Sequence, residues 1–71
     1  MTGTISKLHR DKGYGFIMRD DPPSPDQRFI FFHKSGVLGG YYDHLEEKVT
    51  KVEFSEEETD KGPRAFDVSI L

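Results

Sequence analysis

Tyr14-Gly15-Phe16-Ile17-Met18-Arg19 and Arg28-Phe29-Ile30-Phe31-Phe32-His33 are the two segments that decide the fold. Both are rich in aromatic and β-branched residues, which favour extended chain. Successive side chains of a strand point to opposite faces. Tyr14 and Phe16 therefore share one face of the first segment, and Phe29, Phe31 and His33 share one face of the second. Gly15 and Ile17, and Ile30 and Phe32, take the opposite faces. A small barrel has a single inside. If Ile17, Ile30 and Phe32 fill it, five ring-bearing residues turn outward. A protein this small seldom exposes such a patch without a use for it. Gly13 and Gly15 fit this picture, because residues without side chains leave the neighbouring rings accessible.

Working outward, turn signals cut the rest of the chain into short pieces, the pattern of an all-β domain. Thr4 to Leu8 is predicted as the first strand and Asp11-Lys12-Gly13 as the turn before the second. Asp20 to Asp26 must be a loop, because its three prolines, Pro22, Pro23 and Pro25, cannot donate to a ladder. Lys34 to Asp43, with Gly36, Gly39 and Gly40, is predicted to be irregular. A fourth strand is expected over Val49 to Ser55, then an acidic loop from Glu56 to Gly62. A last strand from Arg64 to Leu71 would alternate Phe66, Val68 and Ile70 with polar residues. One segment reads two ways. Leu45, Val49 and Val52 have helical spacing behind Asp43 and Glu46, which stand at capping-box distance. The alternation of Val52 with Phe54 and the β-branched residues favour the strand. Five short strands without a substantial helix predict a closed or partly closed barrel, since closure removes exposed edges.

With 71 residues there is room for one domain, residues 1–71. There is no cysteine, so a disulfide framework or a thiolate zinc site is excluded. The first residues lack a basic-then-apolar leader pattern, and no apolar run approaches the roughly 18 residues of a membrane span. A soluble, cytoplasmic domain is expected. Aromatic residues at 13% argue for folding in spite of 32% charged residues. The net charge of −3 is unevenly spread. Residues 1–34 hold six basic and four acidic side chains, whereas residues 35–71 hold four and nine. Seven of the nine Phe and Tyr lie between positions 14 and 42, so rings and positive charge share one half of the chain. Rings that stack with bases and cations that meet phosphates are the two ingredients of single-stranded nucleic acid binding. Lys7, Lys12 and Lys34 lie within or at the ends of the aromatic strands.

Lys12-Gly13-Tyr14-Gly15-Phe16-Ile17 resembles the first RNP motif of cold-shock domains, and Ile30-Phe31-Phe32-His33 resembles their second. Gly3-Thr4-Ile5, Ser35, Leu45-Glu46-Glu47, Val52-Glu53-Phe54 and Lys61-Gly62-Pro63-Arg64-Ala65 follow the family in the same order. The resemblance implies an all-β, five-stranded antiparallel OB-fold barrel that binds single-stranded RNA or DNA and serves as an RNA chaperone. It implies stacking by Tyr14, Phe16, Phe31 and His33, an aromatic near Tyr42 in the following loop, and backbone contacts from Lys12 and Lys61. Three positions depart from the family. Lys7 stands where members usually carry Trp, Lys34 where bacterial members often carry an aromatic, and Phe29 where an acidic residue is usual. Phe29, on the face of Phe31, is expected to replace part of the missing platform. The proline-containing loop also looks longer than the family's.

Phe29 and Tyr42 read equally well as core or as face, and His33 also reads as a structural histidine. His9 and His44 read as surface residues. The three histidines have no metal-ligand spacing, so no metal or cofactor is expected. Gly13-Tyr14-Gly15 does not continue into a dinucleotide motif, because Met18 occupies the third glycine position and no helix follows. No phosphate loop and no nucleophile with a base is visible. A monomeric binding module, not an enzyme, is expected. The rival reading is a barrel whose aromatic face docks a polypeptide.

Overall fold

The computed structural model describes residues 1–71. Five strands, β1 (Thr2–His9), β2 (Tyr14–Arg19), β3 (Phe29–His33), β4 (Lys51–Thr59) and β5 (Gly62–Ile70), close into a ring in the order β1-β2-β3-β5-β4. The all-β, OB-type architecture expected from the sequence is present. Pairing is antiparallel except between β3 and β5, where Phe31 pairs with Arg64 and Phe32 with Ala65 in parallel. A closed ring with an odd number of strands cannot alternate direction all the way round, so one junction must be parallel. A bridge between Val37 and Val68 extends that junction.

The inside is filled by eleven buried side chains, among them Ile5, Ile17, Ile30, Phe32, Leu45, Val52 and Val68, none more than 1% exposed. Each such burial stabilises by about 1.5–3 kcal/mol relative to exposure. Phe32 lies against Gly15, where a Cβ would come within 2.9 Å of the ring and 2.5 Å of the Lys7 carbonyl oxygen. Gly15 is therefore required by the interior and by the approach of β1, and not by access to the outer rings.

Two bulges set the faces. In β1 the register shifts by one residue between Ile5 and Lys7, so Ser6 is the extra residue. In β5 two residues, Asp67 and Val68, stand opposite Phe54 of β4, and Asp67 has φ 50°. An inserted residue reverses the side-chain parity beyond it. The expected parity of Phe66 with Val68 is thereby broken: Ala65 and Val68 are buried and Phe66 is half-buried, while Ile70, the last residue of β5, is exposed.

β4 runs on through the acidic run expected as a loop. Glu56, Glu57 and Glu58 pair with Ala65, Arg64 and Pro63. The turn that follows contains only Asp60 and Lys61. It is closed by Thr59 Oγ1, which accepts from Lys61 N (3.2 Å) and donates to the Gly62 carbonyl (2.7 Å). No helix forms from Asp43 onward. Glu46 N donates to Thr50 Oγ1 (2.9 Å), Lys48 takes φ 67° and Val49 is 65% exposed, so the segment is a turn that buries Leu45 alone. Short 3₁₀ turns occupy Pro25–Gln27, Lys34–Gly36 and Leu38–His44, the last kinked at Gly39 and Gly40.

At one end of the interior β2 places Arg19 inward, its side chain 4% exposed and its Nη1 donating to Glu56 Oε1 at 2.6 Å. No helix is long and apolar enough to cross a membrane, and no group of three or more His, Asp or Glu side chains could hold a metal ion.

Candidate nucleic-acid interface

The outer surface of β1, β2 and β3 is organised in cross-strand rows. At one end His9, Tyr14 and His33 are register partners. The middle row runs Lys7, Phe16, Phe31 and, across the parallel junction, Arg64. The third is Thr4, Met18 and Phe29. The Ser6 bulge brings Lys7 and His9 onto this surface. Without it, strict alternation from the inward Ile5 would point both into the core.

The rings form a contiguous set. Phe16 and Phe31 meet edge to face with centroids 5.9 Å apart, and Tyr14 lies 6.1 Å from Phe16 and 5.4 Å from Phe31. These separations are those of favourable aromatic pairs. The rings consequently hold one another while their outer portions stay accessible: Tyr14, Phe16, Phe31 and His33 are all half-buried. Phe29 is 51% exposed beside Met18 at 40%. It lies on the outer face and not in the core.

His33 is oriented by Ser35, whose backbone N donates to Nδ1 at 3.1 Å and whose Oγ lies 2.9 Å from the same nitrogen. With Nδ1 accepting, the neutral ring carries its proton on Nε2. The histidine thus caps the Lys34–Gly36 turn while standing in the aromatic surface.

Tyr42 is the one expected stacking residue that the structure removes from the surface. It is 6% exposed, packs on Phe32 with centroids 6.2 Å apart, and donates its hydroxyl to the Tyr14 carbonyl at 2.9 Å. Burial pushes its hydroxyl above the ordinary tyrosine value, the nearby Arg10 opposing. The kink at Gly39 and Gly40, with φ 71° and 68°, turns the segment so that Tyr42 points inward and its neighbour Tyr41, 52% exposed, points out.

Among the cations, Lys7 is exposed in the middle row, Lys12 is exposed in the turn before β2, and Lys34 is exposed with its stem over Gly13. Lys61 tops the β4–β5 hairpin and, with Pro63 and Arg64, lines a cleft whose other wall is Phe31. Arg64 was not among the residues singled out from the sequence. Its place follows from the parallel pairing of β3 with β5, which alternation within either strand does not reveal. Its Nε stands 3.9 Å from Glu57 Oε1, too far for a hydrogen bond.

The sequence that builds this face is similar to that of known proteins over the whole chain. The sequence profile described as the 'Cold-shock' DNA-binding domain matches residues 1–71. The chain belongs to the cold-shock domain family. It is 39% identical over 69 residues to a cold shock-like protein of Aquifex aeolicus, covering 97% of this chain and 91% of that one. Identity to cold shock protein 1 of Lactiplantibacillus plantarum is 39% over 66 residues, covering 93% and 91%. To the cold shock-like protein CspB of Yersinia pestis it is 38% over 71 residues, covering 100% and 94%. Cold-shock domains bind nucleic acid, and this chain carries that general capacity as a member of the family.

Proposed function

We propose that this cold-shock domain binds single-stranded RNA and DNA with little sequence preference, and works as a monomeric RNA chaperone that keeps transcripts from folding on themselves. The observation that carries the reading is the middle row. Phe16 and Phe31 present their rings between Lys7 and Arg64, so bases can stack where the backbone phosphates meet a cation on either side. Tyr14, His33 and Phe29 extend the stacking surface along the strands. Lys12, Lys34 and Lys61 contact phosphates at its margins. Every base has a π-face, so stacking of this kind tolerates any sequence, and about six or seven nucleotides would lie across the face. The function is binding alone, and no residue is assigned to catalysis.

NMR shift mapping tests the reading. On titration with short pyrimidine-rich and mixed oligonucleotides, the largest changes are expected at Tyr14, Phe16, Phe31 and His33, with little change at the buried Tyr42. No response up to high micromolar strand would refute it and turn attention to a polypeptide ligand for the same rings.

A further inference from the structure

His9 is the last residue of β1, and its ring is stacked on Tyr14, with centroids 4.6 Å apart and planes inclined by 23°. It also meets Phe16 edge-on at 6.5 Å and 81°. The contact is built into the backbone. His9 and Tyr14 are register partners, and the His9 carbonyl accepts from Lys12 N at 3.0 Å and from Gly13 N at 2.8 Å, closing the turn between them. The Tyr14 backbone is fixed in turn by the Tyr42 hydroxyl. Tyr14 thus has His9 on its β1 side and Phe31, 5.4 Å away, on its β3 side. A base arriving from the β1 side meets the imidazole before it meets the phenol.

We propose that His9 is itself a base-stacking residue, supplying from β1 the outermost ring of the surface, with Tyr14 as the layer beneath it. This rests on the single-stranded binding reading above and deepens it. An imidazole is planar and polarisable, and is held flat here by the tyrosine behind it, so it needs no reorganisation to take a base on its free face. Its edge-on contact with Phe16 ties it to the middle row, so one nucleotide over His9 can be continued by the next over Phe16.

The alternative is that His9 only buttresses Tyr14. The chain has no Trp, so His9→Trp introduces a single indole at this position. Its fluorescence is expected to be quenched on addition of oligothymidylate, with affinity equal to or better than that of the native chain. His9→Ala is expected to weaken the same oligonucleotide by about 5- to 20-fold, the low end of a lost stacking contact because the face of Tyr14 that His9 covers is uncovered in its place. His9→Phe is expected to restore it. Phe31→Ala serves as the control for the binding reading. If Phe31→Ala weakens binding while folded His9→Ala does not and the indole is not quenched, the role of His9 is refuted and the binding reading survives. If Phe31→Ala leaves affinity unchanged, or the native chain binds no oligonucleotide, the binding reading falls and this inference with it.

Discussion

Glu56→Ala should destabilise this domain more than any substitution on the aromatic face, although Glu56 lies in an acidic run that would pass for solvated surface. Its partner Arg19 is inward-facing with a side chain 4% exposed, Nη1 sits 2.6 Å from Glu56 Oε1, and Nε and Nη2 have no protein partner. Removing the carboxylate leaves a guanidinium with no counter-charge in the interior, which for buried pairs costs about 3–5 kcal/mol. Glu56 retains 24% side-chain exposure, so water reaches the pair and the low end, about 3 kcal/mol, applies. A chain of this size has a total stability of roughly 4–11 kcal/mol. The loss corresponds to about 12–24 °C in Tm for a domain of this length. Replacing both members, Arg19→Met with Glu56→Leu, removes both charges and extends the apolar lining already given by Met1 and Phe54. That variant is expected to match or exceed the native stability. Urea and thermal unfolding followed by circular dichroism, run as a double-mutant cycle, supply the numbers. The reasoning fails if Glu56→Ala unfolds within about 0.5 kcal/mol of the native protein, or if the double variant is no more stable than that single one. Oligonucleotide affinity is expected to stay within about twofold in every folded member, since Arg19 points away from the rings.

Two further outcomes concern charge. Salt dependence of oligonucleotide binding is expected to be shallow, with two or three phosphates neutralised, so affinity measured by fluorescence anisotropy should fall only about 7- to 18-fold between 50 and 200 mM salt. A hundredfold fall would show that phosphates and not rings dominate. Asp20 is held below the ordinary carboxylate value, chiefly because Thr2 Oγ1 donates to it and secondarily by a hydrogen bond from Lys51. A depressed native value means the stabilisation is present above the unfolded-state value near 3.8 and is lost as pH falls through the native one. Asp20→Asn should flatten the acid limb of the unfolding profile between pH 5 and 2, and an unchanged limb would rule out this contribution.

The central strands were legible because their signal is local. Tyr14 to Arg19 and Arg28 to His33 alternate cleanly, and β2 and β3 appear within one residue of the expected bounds. What escaped depends on insertions and on pairing between distant segments. Ser6 shifts β1 by one residue, so His9 reads as an isolated surface histidine until the register with Tyr14 is known. A trace of the bulge was nevertheless present, because Ile5 and Leu8 cannot both face inward in a strictly alternating strand. The glutamates at 56–58 read as loop because charge suggested solvent, yet Glu56 faces inward to Arg19 and Glu57 faces Arg64. Arg19 lies on β2, which is not a neighbour of β4 in the ring, and Arg64 is the cross-strand partner of Glu57 in the β4–β5 hairpin. Tyr42 was open between core and face. A kink at two glycines with positive φ decided for the core, and no periodicity encodes it.

The charge map follows from the same contacts and bears on the proposal that rings carry the binding. The surplus of cations in residues 1–34 overstates what the face can offer to phosphates. Arg10 donates to the carbonyls of Asp43 and Leu45, and Arg19 is buried with Glu56, so both serve the fold. Arg64 reaches the face from the acidic half, but with Glu57 beside it. Lys7 is the only cation in the three rows with no acidic side chain as an ion-pair partner. Electrostatic attraction is thus confined to a few exposed lysines around an apolar surface, next to a β4 strand that repels polyanions. Such a surface gains little from duplex backbone, whose phosphates are presented without accessible bases, and gains most from strands whose bases are already unstacked. On the binding mode we propose, discrimination for single strands would arise from what the face lacks in charge as much as from what it has in rings.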